Sequence, residues 1–126
     1  MNEIINKVKE IESLVNQFIS AISDLDVKID QKIKRDKRLI DITHLIKILS
    51  QVEKSRISST QKLSDHDINT LVQKSMIENR EYIDLDNERK LLQERNDLFS
   101  SYLDQLEKLK VEIKERFESL KSTLHQ

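Results

Sequence analysis

The chain has 126 residues, 22 Lys and Arg against 23 Asp and Glu, and no Gly, Pro, Cys or Trp. Lack of turn formers disfavours sheets and tight hairpins, lack of cysteine leaves no disulfide framework, and a net charge of −1 argues against a dedicated nucleic-acid binder, which needs a basic face. What remains is an all-α chain of one domain, residues 1–126, with an aliphatic core, because aromatics make up only 4%.

The first helical arm is expected over residues 2–54. Ile4, Val8, Ile11, Val15, Phe18, Ile22, Leu25 and Ile29 alternate steps of four and three, giving heptads with apolar residues at both seam positions. Each such side chain contributes ~1.5–3 kcal/mol if mostly buried, so a covering helix is required. The stripe fades across Lys32-Ile33-Lys34-Arg35-Asp36-Lys37-Arg38 and returns as Ile42, Leu45, Ile46, Leu49 and Val52. Nothing forces a turn in the polar stretch, although Asp36 or Asp41 can cap a fresh helix.

A loop is expected over 55–64, because Ser55-Arg56-Ile57-Ser58-Ser59-Thr60-Gln61 is rich in residues whose side chains compete with helical backbone bonds. Ser64 then has the character of an N-cap, with Asp67 at N3 and both Asp65 and Asp67 at the positive end of the helix dipole. Leu63 before the cap and Ile68 at N4 have the spacing of a hydrophobic staple.

The second arm is expected over 65–124. Ile68, Leu71, Val72, Met76 and Ile83 form its first stripe, Asp84-Leu85-Asp86-Asn87-Glu88-Arg89-Lys90 interrupts it, and Phe99, Leu103, Leu106, Lys110, Ile113, Phe117, Leu120 and Leu124 resume it with one lysine on the seam. The part up to Leu63 holds 12 basic and 9 acidic residues and the rest holds 10 and 14, so the arms carry +3 and −4 and should attract. The polar breaks lie at nearly equal distances from the loop and would meet in an extended hairpin, or form outer turns in a compact bundle. The architecture is therefore an antiparallel helical hairpin or a three- to four-helix bundle with long helices. An uninterrupted first arm would be roughly 80 Å long. Ile5, Leu14, Ile19, Ile33, Leu98, Tyr102, Leu109 and Val111 widen the stripes beyond a two-stranded seam, which favours a bundle or an oligomer, including a homodimer.

No apolar run approaches the ~18 residues of a membrane span, and the stretch from Met1 to Lys7 lacks the apolar region of a secretory signal, so a cytoplasmic protein is expected. Asp65-His66-Asp67 and His125 form no second cluster that completes a metal site, and no cofactor or small-molecule substrate is expected. The basic run from Lys32 to Arg38 is interrupted by Asp36 and has no interleaved aromatic for stacking, so it reads as a solvated face. Asp84, Asp86 and Glu88 read as an exposed helix junction.

Arg38 and His44, in Arg-Leu-Ile-Asp-Ile-Thr-His, resemble the motif of the dimeric all-α ribonucleases called HEPN. That resemblance implies RNA cleavage, with Arg38 stabilising phosphate charge and His44 moving a proton. Pairs at this spacing also arise by chance in helical sequence, and the chain is read as non-enzymatic.

Two segments resemble the small helical export chaperones of the bacterial flagellum. The first is Phe18 to Ile46, with Asp24-Leu25-Asp26 followed by Ile33-Lys34-Arg35-Asp36-Lys37-Arg38-Leu39-Ile40. The second is Lys62 to Leu98, with Lys62-Leu63-Ser64-Asp65, Met76-Ile77-Glu78-Asn79-Arg80-Glu81-Tyr82-Ile83 and Leu91-Leu92-Gln93-Glu94-Arg95. The resemblance implies a cytoplasmic chaperone or adaptor for type III secretion that holds an amphipathic helix of a secreted or flagellar client in an apolar groove. The residues expected to line it are Ile83, Leu91, Leu98, Phe99, Tyr102 and Leu106. The other reading is a structural coiled-coil subunit whose stripes are consumed in its own hairpin or homodimer.

Overall fold

A computed structural model describes residues 2–60 and 62–125. It is an all-α helical bundle, with no strand among the described residues. The elements are α1 (Asn2–Ile22), α2 (Leu25–Thr60), α3 (Asp65–Glu78) and α4 (Arg80–Leu124).

Several helix boundaries have a local cause. Ser64 adopts extended backbone and its Oγ accepts the N–H of Asp67 at 3.2 Å, the expected cap of α3. Leu63 packs against the cluster that contains buried Ile68, as a staple requires. The expected loop over 55–64 is shorter, since α2 runs on to Thr60 and Gln61 lies outside the described residues. The hydroxyls of Ser58, Ser59 and Thr60 donate to carbonyls three and four residues back, at Lys54, Arg56 and Ile57. Serine and threonine thus bond along the helix instead of breaking it.

Neither expected arm is one continuous helix. The first is interrupted at Ser23-Asp24, where the Ser23 Oγ donates to the carbonyl of Ser20 at 2.7 Å. Asp24 then accepts the N–H of Lys28, at 2.9 Å, in the opening turn of α2. The second is interrupted at Asn79, whose extended backbone ends α3 and whose Oδ1 accepts the N–H of Tyr82 at 3.1 Å, capping α4. Conversely, the stretch from Lys32 to Arg38 lies within α2 with no break.

The single helical domain expected over 1–126 packs as two compact units, residues 1–32 with 97–126, and residues 33–96. In the first unit α1 runs antiparallel to the second half of α4. Lys7 Nζ reaches Ser119 Oγ at 2.6 Å, Arg116 pairs with Glu10 at 3.8 Å, and the Tyr102 hydroxyl donates to the carbonyl of Ala21. Ile11 is the most buried residue of α1, and Leu106, Ile113 and Leu120 lie half-buried at seven-residue intervals on α4. The periodicity read from the sequence is therefore the packing periodicity.

The second unit joins three helical segments. Ile57 of α2 and Ile68, Val72 and Met76 of α3 form a buried cluster, flanked by Ile46, Leu49, Leu63 and Tyr82. Ser75 Oγ donates to Glu53 Oε1 at 2.7 Å, tying α3 to α2. Along α2, Ile42 is fully enclosed, at 0% exposure. The two polar stretches face each other here: the Arg38 guanidinium grips Glu88 through three contacts of 2.8 to 3.1 Å. Nearby, Asn96 accepts from Arg35 Nε at 2.8 Å and donates to Asp36 at 3.1 Å. The polar interruptions of the stripes are thus inter-helix contacts that fix the register of α2 against α4.

Candidate functional site

Several ionisable residues are engaged in pairs. Arg38 carries a pKa raised above its usual value, chiefly by the hydrogen bonds to Glu88, and the same bonds hold the Glu88 carboxyl below the usual carboxylate range. Glu53 is likewise lowered, first by Arg56 and then by the Ser75 hydroxyl. Asp86 is lowered by its bond to Lys90, with Arg89 adding to the effect. Asp84 pairs with Arg80 at 3.4 Å. These shifts come from hydrogen-bonded ion pairs within and between helices, and no two carboxylates converge in them.

Arg38 and His44 are not brought together. A step of six residues along α2 turns them about 120° apart around the helix axis, and the Arg38 fork is committed to Glu88. His44 is exposed, in a shallow hollow with Leu39, Ile40, Thr43 and Lys47. His66 lies exposed in the first turn of α3. Among the described residues no group of three or more His, Asp and Glu side chains is placed to hold a metal ion. Hollows among the described residues include an open depression lined by Lys9, Glu12, Asn16 and Ser20 on α1.

The six residues expected to line a partner groove separate into distinct environments. Ile83 is half-buried in the second unit, and Leu91, also there, is 46% exposed. In the first unit Phe99 and Tyr102 stack at a tilt, 6.2 Å between ring centroids, with Lys28 Nζ 5.0 Å from the Tyr102 ring. Those rings, with half-buried Leu106, belong to the side of α4 that packs within its own unit. Leu98 is 71% exposed. The structure thus brings Phe99 and Tyr102 together and leaves Leu91 and Leu98 accessible.

Sequence reasoning did not single out the apolar row on α2 in the second unit. Leu45, Ile48 and Val52, at i, i+3 and i+7, are 39, 41 and 61% exposed. They lie about 100° or more around α2 from Ile46 and Ile57, which face the α3 cluster. Leu45 and Val52 belong to the stripe read from the sequence. The signal that separates them is the width of the apolar band, which exceeds what one neighbouring helix covers.

Comparisons with protein families, with curated proteins and with solved structures each found no match to this chain. The class this fold defines is an all-α helical bundle. Among the described residues no helix is long and apolar enough to cross a membrane.

Proposed function

We propose that the protein is a non-enzymatic binding protein that receives an amphipathic helix of another protein. The observation that carries this reading is the row Leu45, Ile48 and Val52, left accessible on the second unit at the i, i+3, i+7 spacing along which another helix can pack. Leaving such a row in water forgoes burial free energy that a docked helix would recover. The most concrete version is a cytoplasmic export chaperone or adaptor. It would hold the terminal helix of a secreted or flagellar subunit and so prevent premature self-association. The resemblance of the segments from Phe18 to Ile46 and from Lys62 to Leu98 to flagellar export chaperones supports that version.

The test is a photo-crosslinking residue placed at Val52 in cells of the native host. The expected result is an adduct with one defined protein, mapped to an amphipathic helix and lost in Ile48→Asp while helicity is retained. Absence of an adduct with any other protein would overturn the proposal. A secreted client among the adducts would favour export chaperoning; a permanent cytoplasmic partner would favour a structural subunit.

A further inference from the structure

The α1 and α4 pair of the first unit has one flank closed by polar contacts and one flank open. Ile11, 6% exposed, marks the middle of the buried face of α1. Lys7, Glu10 and Ala21 lie to one side of it, and all three meet α4 there, at Ser119, Arg116 and Tyr102. To the other side lie Ile5, Val8 and Ile19, exposed by 46, 39 and 55%. On α4 the row Phe99, Leu106, Ile113 and Leu120 is the corresponding middle. Tyr102, Arg116 and Ser119 fall on its closed side, whereas Leu103, Phe117 and Leu124, exposed by 41, 46 and 58%, fall on the other. The open flank therefore presents two parallel apolar rows, one from each helix.

Each row carries one charge. Glu12 stands a heptad from both Ile5 and Ile19, and Lys110 stands a heptad from both Leu103 and Phe117. Neither has an ion-pair partner among the described residues. The pairs Lys7 with Ser119 and Glu10 with Arg116 set the register, which puts Glu12 level with the turn of α4 that carries Lys110 and Lys114.

We propose that this flank is the docking surface for a second copy of the chain, related by a two-fold axis parallel to the helices. Each α1 then lies antiparallel on the partner's α4, closing a four-helix bundle in which Glu12 meets the partner's Lys110 twice. A two-fold axis perpendicular to the helices at the middle of the rows would instead oppose Glu12 with the partner's Glu12, and the Lys110 to Lys114 turn with itself. The charge pattern selects the first arrangement, since like charges face to face are penalised as the surrounding apolar rows exclude water. The surface lies in the first unit and is independent of the client-binding row on the second.

Sedimentation velocity on the full chain tests the association. The expected species has twice the 14.9 kDa mass of one chain. Lys110→Glu, an exposed position, should weaken the dimer several-fold without loss of helicity, and adding Glu12→Lys to it should restore the dimer. Because the chain has no cysteine, Glu12→Cys and Lys110→Cys variants test the arrangement directly. Mixed and oxidised, they should couple efficiently, while each alone couples poorly. A wild-type chain that stays monomeric at every concentration overturns the proposal, including one that associates only with a different protein. Self-coupling of Glu12→Cys that outpaces the mixed reaction overturns the arrangement.

Discussion

Ile42 and Ser64 hold the chain by different means and should fail by different amounts. Ile42 is fully enclosed on α2, so Ile42→Ala removes apolar contacts and leaves a cavity, at a cost of about 2–5 kcal/mol. Ser64 contributes one capping bond to the exposed start of α3, and Ser64→Ala should cost about 0.5–2 kcal/mol. Urea unfolding of the two variants at one protein concentration checks the order, which reverses if capping outweighs burial. Glu88 supplies a pH dependence of known sign. Its folded pKa lies below its unfolded value, so its contribution is fully present above the ordinary glutamate range near ~4.3 and is lost as pH falls through the lower folded value. The urea midpoint of the wild type should drop on acidification through that window, and Glu88→Gln should drop less. Both side chains of the Arg38 and Glu88 pair remain partly solvated, so the difference will be small.

At the scale of elements, what was legible in the sequence was whatever had one dominant local cause. The cap at Ser64 and the heptads of α1 are of that kind, because the capping geometry and the apolar period each have a single reading. The end of α2 was hidden because serine and threonine satisfy their hydroxyls either in a turn or on the preceding helical carbonyls, and Ser58 to Thr60 do the latter. Asn79 was hidden for the opposite reason. It is one polar residue inside a helical pattern, yet its side chain caps α4 while its own backbone leaves the helix. Asn79→Ala should therefore destabilise the fold by about 0.5–2 kcal/mol although alanine is the better helix former, whereas Asn79→Asp keeps most of the stability. Thermal melts of the two variants distinguish them; equal loss in both would remove the cap from the account. The candidate groove was only partly legible because the apolar residues of α4 carry no mark in sequence telling inward from outward. Phe99 and Tyr102 turn toward their own unit, and Leu98, adjacent to Phe99, turns to water.

On the scale of the whole molecule, few side chains are enclosed: Ile11, Ile42, Ile57, Ile68, Val72 and Met76 are the buried apolar residues among those described. Many large aliphatic side chains stay in contact with solvent, from Ile40 at 70% to Leu98 at 71% exposure. A chain that withdraws so little apolar surface has a small margin of stability, and anything that covers its rows adds to that margin by mass action. Dimerisation through the first unit and helix capture by the second would both act this way, so stability should rise with protein concentration in the one case and with partner concentration in the other.

The connectivity of the two units has a consequence for biosynthesis. Residues 33–96 of the second unit are contiguous, whereas the first combines residues 1–32 with 97–126. As the polypeptide emerges from the ribosome, the middle of the sequence has everything it needs to pack before α1 has met its mate. Until residues 97–126 are translated, Ile4, Ile11, Val15 and Phe18 stay bare on a nascent helix. In that interval the newborn chain itself is a substrate for the cell's folding helpers.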